Sequence, residues 1–278
     1  MNSVRRESGV PTIASGAFVL LPVLNEIANI EPLLDRIEGQ LAGMPFTIGI
    51  VDDGSTDGTI EYLRRRMDRP DHRLHLICRK KRHRASQRGA ALRTLVLWGL
   101  ENTHHDVFVE MDGDLSHRPE ELMEGIGLLT SRRCDVAIAS KYLPGSKVVN
   151  RPWGRRMVSR ICSIAVGVLI SPRIRDYSNG FRFYTREAAR LVAEHKIRYG
   201  SPIYLSEVLA LWLSSGMRIE EFPTTYVGRN EGVSKLRVSD LVKAAIAIFE
   251  IALRFHLRTF GPRVAVAGEE ASRLEAEA

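Results

Sequence analysis

Short apolar runs alternate with longer helical patterns through the first half of the chain, and this alternation constrains the fold more than any other feature. The runs, between residues 17 and 140, are AFVLLPV, FTIGIVDD, LHLIC, VFVEMD and CDVAIAS. The segments between them, such as IANIEPLLDRIEGQL, carry apolar residues at the i, i+3, i+4 and i+7 positions of one helix face. Strands that alternate with helices in this way predict an α/β fold with a mostly parallel, doubly wound sheet that has helices on both faces.

Three of the predicted strands are followed by unusual polar residues. These exits read PVLNE at residues 22–26, DDGS at residues 52–55 and DGD at residues 112–114. The carboxyl ends of parallel strands lie at one edge of a sheet, and ligands of such sheets bind beyond that edge. We therefore expect the three exits to face a single crevice.

Asp112 and Asp114 are the most informative pair of carboxylates. Gly113 between them lets the backbone approach a ligand closely, so both can converge on one ion at a turn. One or two carboxylate ligands from the protein suit Mg²⁺ or Mn²⁺, because phosphate and water oxygens complete the coordination of these hard ions. In the alternative interpretation, Asp114 only caps the helix that starts near Pro119, or both aspartates only make turns.

The VDDGSTDGT segment, residues 51–59, follows one strand and precedes a helix. Asp53 is placed to accept hydrogen bonds from a base or ribose, and Thr56 or Asp57 is expected to cap the helix. Turn chemistry alone explains Asp57 well, because D-G-T is a common turn sequence. It explains Asp52 and Asp53 less well, because adjacent like charges are unfavourable without donors.

Basic residues dominate the run RKKRHRASQRGA at residues 79–90. The whole chain has 40 Lys and Arg against 33 Asp and Glu, a net charge of +7. A charge run is usually a solvated face, and a basic loop also suits RNA. RNA-binding modules interleave aromatic residues with basic ones, however, and this run contains only His83. A diphosphate held between a metal and cations fits better, and we expect no nucleic-acid partner.

The three cysteines lie far apart in apolar runs without CxxC spacing, which predicts reduced core residues in a cytoplasmic protein. The N-terminal residues lack the apolar segment of a secretory signal. No apolar tract is a convincing transmembrane helix. The segment from Ser239 to Arg258 has a wide apolar face with basic residues near its ends, which indicates a helix lying on an anionic lipid surface, although a core helix is the alternative.

Beyond residue 140 the pattern changes. We predict a helix from Trp153 to about Ile170, a helix from Pro202 to Ser214 and a strand pair around MRIEEFPTTYVGR. The domain organisation expected is a flexible arm at residues 1–16, a catalytic domain at 17–237, an amphipathic and membrane-interfacial helix at 238–260, and a flexible tail at 261–278.

Five motifs, LPVLNE, VDDGSTDGT, EMDGDLSHRP, SNGFRFY and GRNEGVSKL, occur in this order between Ala17 and Phe255. Their order and separations resemble glycosyltransferase family 2, and within it the dolichol-phosphate and polyprenol-phosphate mannose synthases. The resemblance implies a GT-A fold, an inverting mechanism, a nucleotide-sugar donor of the GDP-mannose or UDP-glucose type, Mg²⁺ or Mn²⁺, and a polyprenyl phosphate acceptor. It also implies peripheral association with the cytoplasmic membrane surface, with a membrane subunit or flippase as a further partner.

The resemblance assigns residues to three groups. The donor-binding residues are Pro22, Asn25, Glu26, Asp53, Asp112, Gly113 and Asp114. The metal residues are Asp112, Asp114 and Ser116. The residues that bind the acceptor or sugar phosphate are Lys141, Arg155, Ser159, Arg229, Ser234 and Lys235, and the catalytic assignment rests on Asp114, Arg155 and Arg229. Two departures concern specificity: Gln87 and Arg88 replace a glycine-rich turn, and Lys141 replaces an arginine and so loses its planar fork.

A lipid monophosphate is already anionic at neutral pH, so this mechanism needs no catalytic base; Glu207 is the fallback base for a hydroxyl acceptor. Three alternatives remain open. A family 2 transferase acting on a glycan hydroxyl is the first. A nucleotidyltransferase is disfavoured because the first strand leads into PVLNE rather than a glycine-rich basic loop. A non-catalytic basic module that binds membrane or RNA leaves the acidic strand exits unexplained.

Overall fold

A computed structural model describes residues 16–79, 88–228 and 238–260 of the protein. The strands, in chain order, are β1 (Ala17–Val23), β2 (Phe46–Asp52), β3 (Leu74–Cys78), β4 (Val107–Glu110), β5 (Val136–Ser140), β6 (Lys147–Val149), β7 (Arg182–Thr185), β8 (Ile219–Pro223) and β9 (Thr225–Val227). The helices are α1 (Ile27–Leu41), α2 (Thr59–Met67), α3 (Arg88–Asn102), α4 (Leu122–Thr130), α5 (Trp153–Leu169), α6 (Arg186–Glu194), α7 (Tyr204–Ser214) and α8 (Val238–His256). A short 3-10 helix, Pro119–Glu121, leads into α4. The predicted α/β class is confirmed.

Seven strands form the main sheet in the order β3-β2-β1-β4-β7-β5-β8. All of its pairings are parallel except those of β7, which runs antiparallel to both β4 and β5. The predicted strand pair around MRIEEFPTTYVGR is wrong as a pair. Both strands form, but β8 joins β5 in the main sheet, while β9 pairs with β6 in a separate two-stranded sheet. Each strand finds a parallel partner far away in sequence instead of its immediate neighbour.

The register of β1 places the three acidic exits at one edge, as predicted. Val23 pairs with Asp52 of β2, and Leu20 pairs with Glu110 of β4, all in the parallel sense. Because β7 reverses direction, β5 again runs parallel to β4, so Lys141 emerges at the same edge. The loop that precedes β7 also enters the sheet there. The crevice is therefore bounded by residues from both halves of the chain.

Alternate residues of the central strands face two separate cores. Phe18 and Leu20 of β1 belong to one core, which also contains residues of α3, α5, α6, α7 and α8. Val19 and Leu21 of the same strand belong to the other, which contains residues of α1 and α4. This period of two on a fully buried strand is what a sheet covered on both faces requires. Helices therefore cover both faces, as the sequence predicts.

The helices α5 and α8 each bury one face and expose an apolar stripe on the other. Val166 of α5 and Ile251 of α8 are buried in the same core. The C-terminal end of α8 is also fastened to α5, because His256 Nε2 lies 2.7 Å from the Leu169 carbonyl oxygen. The exposed stripes consist of Trp153, Met157, Ile161, Ile164 and Val168 on α5, and Ile246, Phe249, Leu253 and Leu257 along α8 and just beyond it. Within the described ranges, no helix combines the length and hydropathy that a membrane-spanning segment needs.

Candidate active site

The DGD turn follows β4 directly and is held in one conformation by its own side chains. Asp114 Oδ1 accepts the backbone N–H of Ser116 at 3.0 Å. Leu115 between them has a φ of 60°, in the left-handed region that bulky residues rarely adopt and that costs about 1–2 kcal/mol. Asp114 thus makes a turn, but the 3-10 helix that follows has Arg118 at its N-cap position and no side-chain cap. A strained turn that presents two carboxylates is typical of a functional site.

Asp112 is positioned by a cation and by a buried histidine. Arg88, the first residue of α3, donates Nε to Asp112 Oδ1 at 2.7 Å. His117 Nδ1 accepts the backbone N–H of Asp112 at 3.0 Å, and His117 Nε2 lies 3.1 Å from Asn179 Oδ1. Nδ1 must therefore be unprotonated and Nε2 must carry the proton, which is the neutral tautomer. Burial lowers the pKa of His117, in agreement with a neutral ring.

The donors available for a metal are two carboxylates and one hydroxyl. The Ser116 hydroxyl is buried beside the Tyr226 phenol and makes no hydrogen bond of normal geometry within the described residues. No group of three or more His, Cys, Asp or Glu side chains in the described part of the chain is arranged to hold a metal ion. Asp112, Asp114 and Ser116 together therefore fit a hard divalent ion that keeps several positions for phosphate and water, rather than a closed protein cage.

The exit of β1 is locked to the loop after β2. The Asn25 backbone N–H donates to Ser55 Oγ at 2.8 Å, and Asn25 Oδ1 accepts the Thr56 N–H at 2.8 Å. Asn25 has a φ of 56°, a conformation for which Asn is well suited. The Glu26 N–H donates to Thr59 Oγ1 at 3.0 Å. Two of the predicted donor-binding segments thus form one rigid rim.

Gly113 lies against the same rim. A Cβ at this position would meet Val23 Cγ1 at 2.8 Å, with the Pro22 carbonyl oxygen at 3.5 Å and Glu26 Cγ at 3.7 Å. The structure therefore brings together Pro22, Glu26 and Gly113, which the sequence assigns to the donor site. The absence of a side chain at Gly113 is what permits this close approach.

Donors satisfy both adjacent aspartates at the β2 exit. Asp52 is buried and accepts the backbone N–H groups of Gly54 and Ser55 at 2.8 and 2.7 Å. Asp53 Oδ1 accepts Nε and Nη2 of Arg79 at 2.8 and 2.6 Å. The N-cap residue of α2 is Gly58, so neither Thr56 nor Asp57 occupies the predicted cap position. Asp57, one residue earlier, still accepts the Thr59 N–H through Oδ1 at 3.1 Å. Both described ends of the basic run, Arg79 and Arg88, thus pair with carboxylates that the sequence assigns to the site.

A second polar network lies at the exit of β5. Lys141 Nζ donates to Ser178 Oγ at 3.1 Å, and Ser159 Oγ lies 2.9 Å from the same oxygen. The Lys141 backbone N–H donates to Asp176 Oδ2 at 2.9 Å, and its ammonium lies 3.8 Å from that atom. The Lys141 side chain is only 3% exposed, and burial lowers the pKa of its amine. Two residues assigned to phosphate binding, Lys141 and Ser159, are therefore joined through Ser178.

Asn179 connects the two networks. It accepts from His117 through Oδ1, its Nδ2 donates to the Ala139 carbonyl, and its backbone N–H donates to Asp176 Oδ1 at 3.0 Å. A continuous chain of hydrogen bonds therefore runs from the DGD turn to Lys141. The sequence singled out the SNGFRFY motif but gave no role to Asp176, Ser178 or Asn179, because their partners lie far away along the chain.

A buried ionic cluster supports the turn from below. Glu110 is fully buried, its Oε1 accepts the Tyr184 hydroxyl at 3.2 Å, and burial raises the pKa of its carboxyl. Arg182 is equally buried and donates to the carbonyls of Asn179, Leu205 and Tyr177. Arg182 and its partners fix the start of β7 and therefore the loop before it, which contains Asn179. The sequence missed them because a charged residue in a buried strand interrupts the apolar pattern.

Residues 18–192 match the family model described as Glycosyl transferase family 2. The chain belongs to glycosyl transferase family 2. Within this family it is 32% identical, over 86% of its length and 88% of the relative, to a polyprenol monophosphomannose synthase of Mycolicibacterium smegmatis. It is 33% identical over 79% of its length to a dolichol-phosphate mannosyltransferase of Pyrococcus furiosus, and it spans 58% of that protein.

Solved structures share the fold. A glucosyl-3-phosphoglycerate synthase of Mycobacterium tuberculosis, in complex with Mn²⁺, UDP and glucosyl-3-phosphoglycerate, superimposes with a TM-score of 0.62. The comparison covers 91% of this chain and 86% of that one at 17% identity. The family 2 chain therefore has the GT-A fold, as the motifs imply, and is a hexosyltransferase.

The fallback assignment of Glu207 as a base is wrong for this family 2 enzyme. Its carboxylate is completely buried in α7, where it accepts the backbone N–H groups of Arg198 and Tyr199 and pairs with Arg254 Nη1 at 2.7 Å. A carboxylate with these partners is structural. Arg155 lies on α5, but its side chain is not among those that the structure describes. Three further assigned residues lie outside the described residues: Arg229, Ser234 and Lys235. The roles of all four stay predictions.

Proposed function

We propose that this protein transfers mannose from GDP-mannose, in the presence of a divalent metal, to the phosphate of a polyprenyl monophosphate. One observation carries the proposal. The carboxylate turn at Asp112 and Asp114 and the polar network at Lys141 and Ser159 lie at the same sheet edge and are joined through Asn179. A diphosphate-sugar and a phosphate acceptor need these two environments side by side. The names of the two relatives, a polyprenol monophosphomannose synthase and a dolichol-phosphate mannosyltransferase, agree with such a reaction.

The donor occupies the rim formed by the β1 and β2 exits. The rim residues Asn25 and Asp53 face the nucleoside, and Gly113 gives the diphosphate a close approach to the backbone. Asp112 and Asp114 would hold the metal with Ser116 beside them, and the metal would supply positive charge that stabilises the diphosphate leaving group. Arg88 fixes the orientation of Asp112, so that the carboxylate does not have to reorganise during the reaction.

The acceptor phosphate lies beside Lys141 and Ser159, and the resemblance assigns Arg155 to the same role. One of its anionic oxygens attacks C1 of the sugar from the side opposite the diphosphate. The new C1–O bond forms as the bond from C1 to the diphosphate oxygen breaks, and the anomeric configuration inverts. The nucleophile carries no proton that must be removed, so no side chain acts as a base. The structural role of Glu207 agrees with this mechanism, because it removes the fallback base named for a hydroxyl acceptor.

The lipid tail requires a membrane, and the exposed stripes of α5 and α8 are suited to lie on one. Val168 is 75% exposed and Phe249 is 64% exposed. Exposed cations accompany both helices, including Arg160 on α5 and Lys243 on α8, which suits an anionic lipid surface. Peripheral membrane association therefore belongs to the proposal, and any separate membrane subunit or flippase is an additional partner to be sought by purification.

The test of the activity uses radiolabelled GDP-mannose and UDP-glucose, each with polyprenyl phosphate in vesicles. We expect label from GDP-mannose in the lipid fraction, no transfer after EDTA treatment, and restoration by Mg²⁺ or Mn²⁺. Asp114→Ala should reduce transfer at least about a hundredfold. Transfer of label only to water-soluble acceptors would refute the lipid acceptor, and full activity in EDTA would refute the metal.

The membrane contact has its own test. We expect the wild-type protein to sediment with anionic vesicles, and the double variant Phe249→Ser, Val168→Ser to lose most of this binding. Met123→Ser is the matched control, because Met123 is an exposed apolar residue of α4, which packs on the opposite face of the sheet. Equal loss of binding in the control and in the double variant would contradict the assigned surface.

A further inference from the structure

Arg151 is a cation that the sequence did not assign, and the small β6–β9 sheet fixes its position. It follows Asn150, which has a φ of 52° and turns the chain immediately after β6. A Cβ on Gly228, the residue after β9, would meet the Asn150 carbonyl oxygen at 2.4 Å and Arg151 Cα at 3.1 Å. The Gly228 N–H also donates to the Val149 carbonyl at 2.8 Å. The backbone at Arg151 is therefore clamped at a close approach that only glycine permits.

One aromatic ring joins Arg151 to the phosphate-binding network. The guanidinium carbon of Arg151 and the ammonium of Lys141 each lie 5.2 Å from the centre of the Tyr226 ring. Both distances fall within the range of cation–π contacts. Burial raises the pKa of the Tyr226 phenol, and the charges of Asp112 and Asp114 raise it further. The ring also packs edge-on against His117. The Tyr226 ring therefore contacts both cations and lies close to the carboxylate turn.

The charges around Arg151 are unbalanced. Among the described residues, Arg151 forms no ion pair with a carboxylate, and its positive charge lowers the pKa of Lys141 in addition to the larger effect of burial. The next residue, Pro152, is the N-cap residue of α5, a 17-residue helix that has no acidic residue in its first turn and no side-chain cap. Lys141 has the Asp176 carboxylate within 3.8 Å, whereas Arg151 lies beside the positive end of the α5 dipole without an ion-paired carboxylate among the described residues. An anion bound next to Arg151 would therefore be stabilised.

We propose that Arg151 is a second cation of the acceptor-phosphate site and binds the monophosphate of the lipid together with Lys141. This inference rests on the proposed function and adds a residue to it. The planar guanidinium supplies two parallel N–H donors, a geometry that the Lys141 ammonium does not offer. A phosphate monoester dianion, with three terminal oxygens, suits this pair of cations better than a diester, which has a single charge.

The test measures acceptor and donor separately. Farnesyl phosphate in detergent is the acceptor probe, with farnesol as the uncharged comparison, and GDP-mannose is varied independently. Arg151→Ala should raise the KM for farnesyl phosphate about tenfold to a hundredfold, with the KM for GDP-mannose changed less than about twofold. Arg151→Lys should fall between wild type and Arg151→Ala. Arg65→Ala, which removes an equal charge from an exposed position on α2, should leave both constants unchanged.

Direct binding provides a readout that is independent of turnover. Calorimetric titration of farnesyl phosphate into the enzyme without donor should show the same loss of affinity in Arg151→Ala, while thermal unfolding shows a folded protein. Unchanged farnesyl phosphate affinity in a folded Arg151→Ala would overturn the inference and leave the proposed function intact. Failure of the wild-type protein to bind farnesyl phosphate more tightly than farnesol would instead overturn the proposed acceptor itself.

Discussion

Replacing Glu207 with Gln should destabilise the protein and leave its chemistry almost unchanged. Glu207 joins three parts of the fold: its own helix α7, the backbone at Arg198 and Tyr199, and Arg254 of α8. Its side chain has no exposure to solvent, and that of Arg254 has only 10%. The replacement keeps the size of the side chain and one acceptor oxygen but removes the charge that compensates Arg254.

The expected cost follows from this burial. Breaking a buried ion pair by removing one partner costs about 3–5 kcal/mol, and the retained amide places Glu207→Gln near the lower end, at about 3 kcal/mol. For a protein of this size each kcal/mol lowers Tm by roughly 2–4 °C, so Tm should fall by roughly 6–12 °C. Arg254→Met should cost a similar amount. The double variant should cost at least about 1.5 kcal/mol less than the sum of the two single variants, because neither charge is then left unpaired.

Urea unfolding of the wild type, the two single variants and the double variant gives the four free energies of a double-mutant cycle. The kcat of each protein is measured well below the lowest Tm. The kcat of Glu207→Gln should stay within about twofold of wild type, whereas loss of a general base would lower it by about 10²–10⁴-fold. Strictly additive free energies, or a collapse of kcat with an unchanged Tm, would refute the structural role. Reduced vesicle binding by Arg254→Met would show in addition that the pair holds α8 in place.

Three further predictions concern separate parts of the molecule. Gly113→Ala should raise the KM for the nucleotide sugar and lower stability by about 1–3 kcal/mol, measured by kinetics and urea unfolding, because its Cβ would lie 2.8 Å from Val23 Cγ1. The Arg36 guanidinium holds the pKa of Glu120 at about 2, below its ordinary 4.5. The stability that this exposed pair contributes, about 1 kcal/mol, should therefore be present at pH 7 and disappear as the pH falls from about 4.5 to about 2; a difference between wild type and Arg36→Met that persists in acid contradicts this. Burial raises the pKa of Cys134 to about 11, so a thiol reagent should modify Cys134 more slowly than Cys78 in native protein and equally fast in urea.

The sequence predicts the first half of the fold well because its signals are local. Each apolar run from β1 to β5 lies between helical segments, and parallel strands necessarily place their ends at one edge. The convergence of Asn25, Asp53 and Asp112 at that edge follows from topology alone. Their exact partners do not: Arg79 and Arg88 belong to a basic run whose local pattern is equally typical of a solvated face.

The parts that the sequence did not predict depend on contacts between distant residues. The strand β7 is four residues long and contains the buried Arg182, whose donors are satisfied by carbonyls that no local pattern reveals. Strands β8 and β9 are separated only by Thr224, yet each pairs with a strand from residues 136–149. Glu207 was misassigned for the same reason, because its partner lies 47 residues further along the chain.

The reversed strand β7 also sets the order in which the sheet can be completed during synthesis. When β4 leaves the ribosome, β1 is already available on one side, but the neighbour on its other side is encoded some 75 positions later. Until then β4 is an open edge whose backbone groups are free to pair with another chain. Strand β5 must likewise wait for both β7 and β8. The nascent protein therefore exposes a pairing-competent edge throughout the synthesis of its middle third, and a chaperone or the membrane surface would be most effective during that interval.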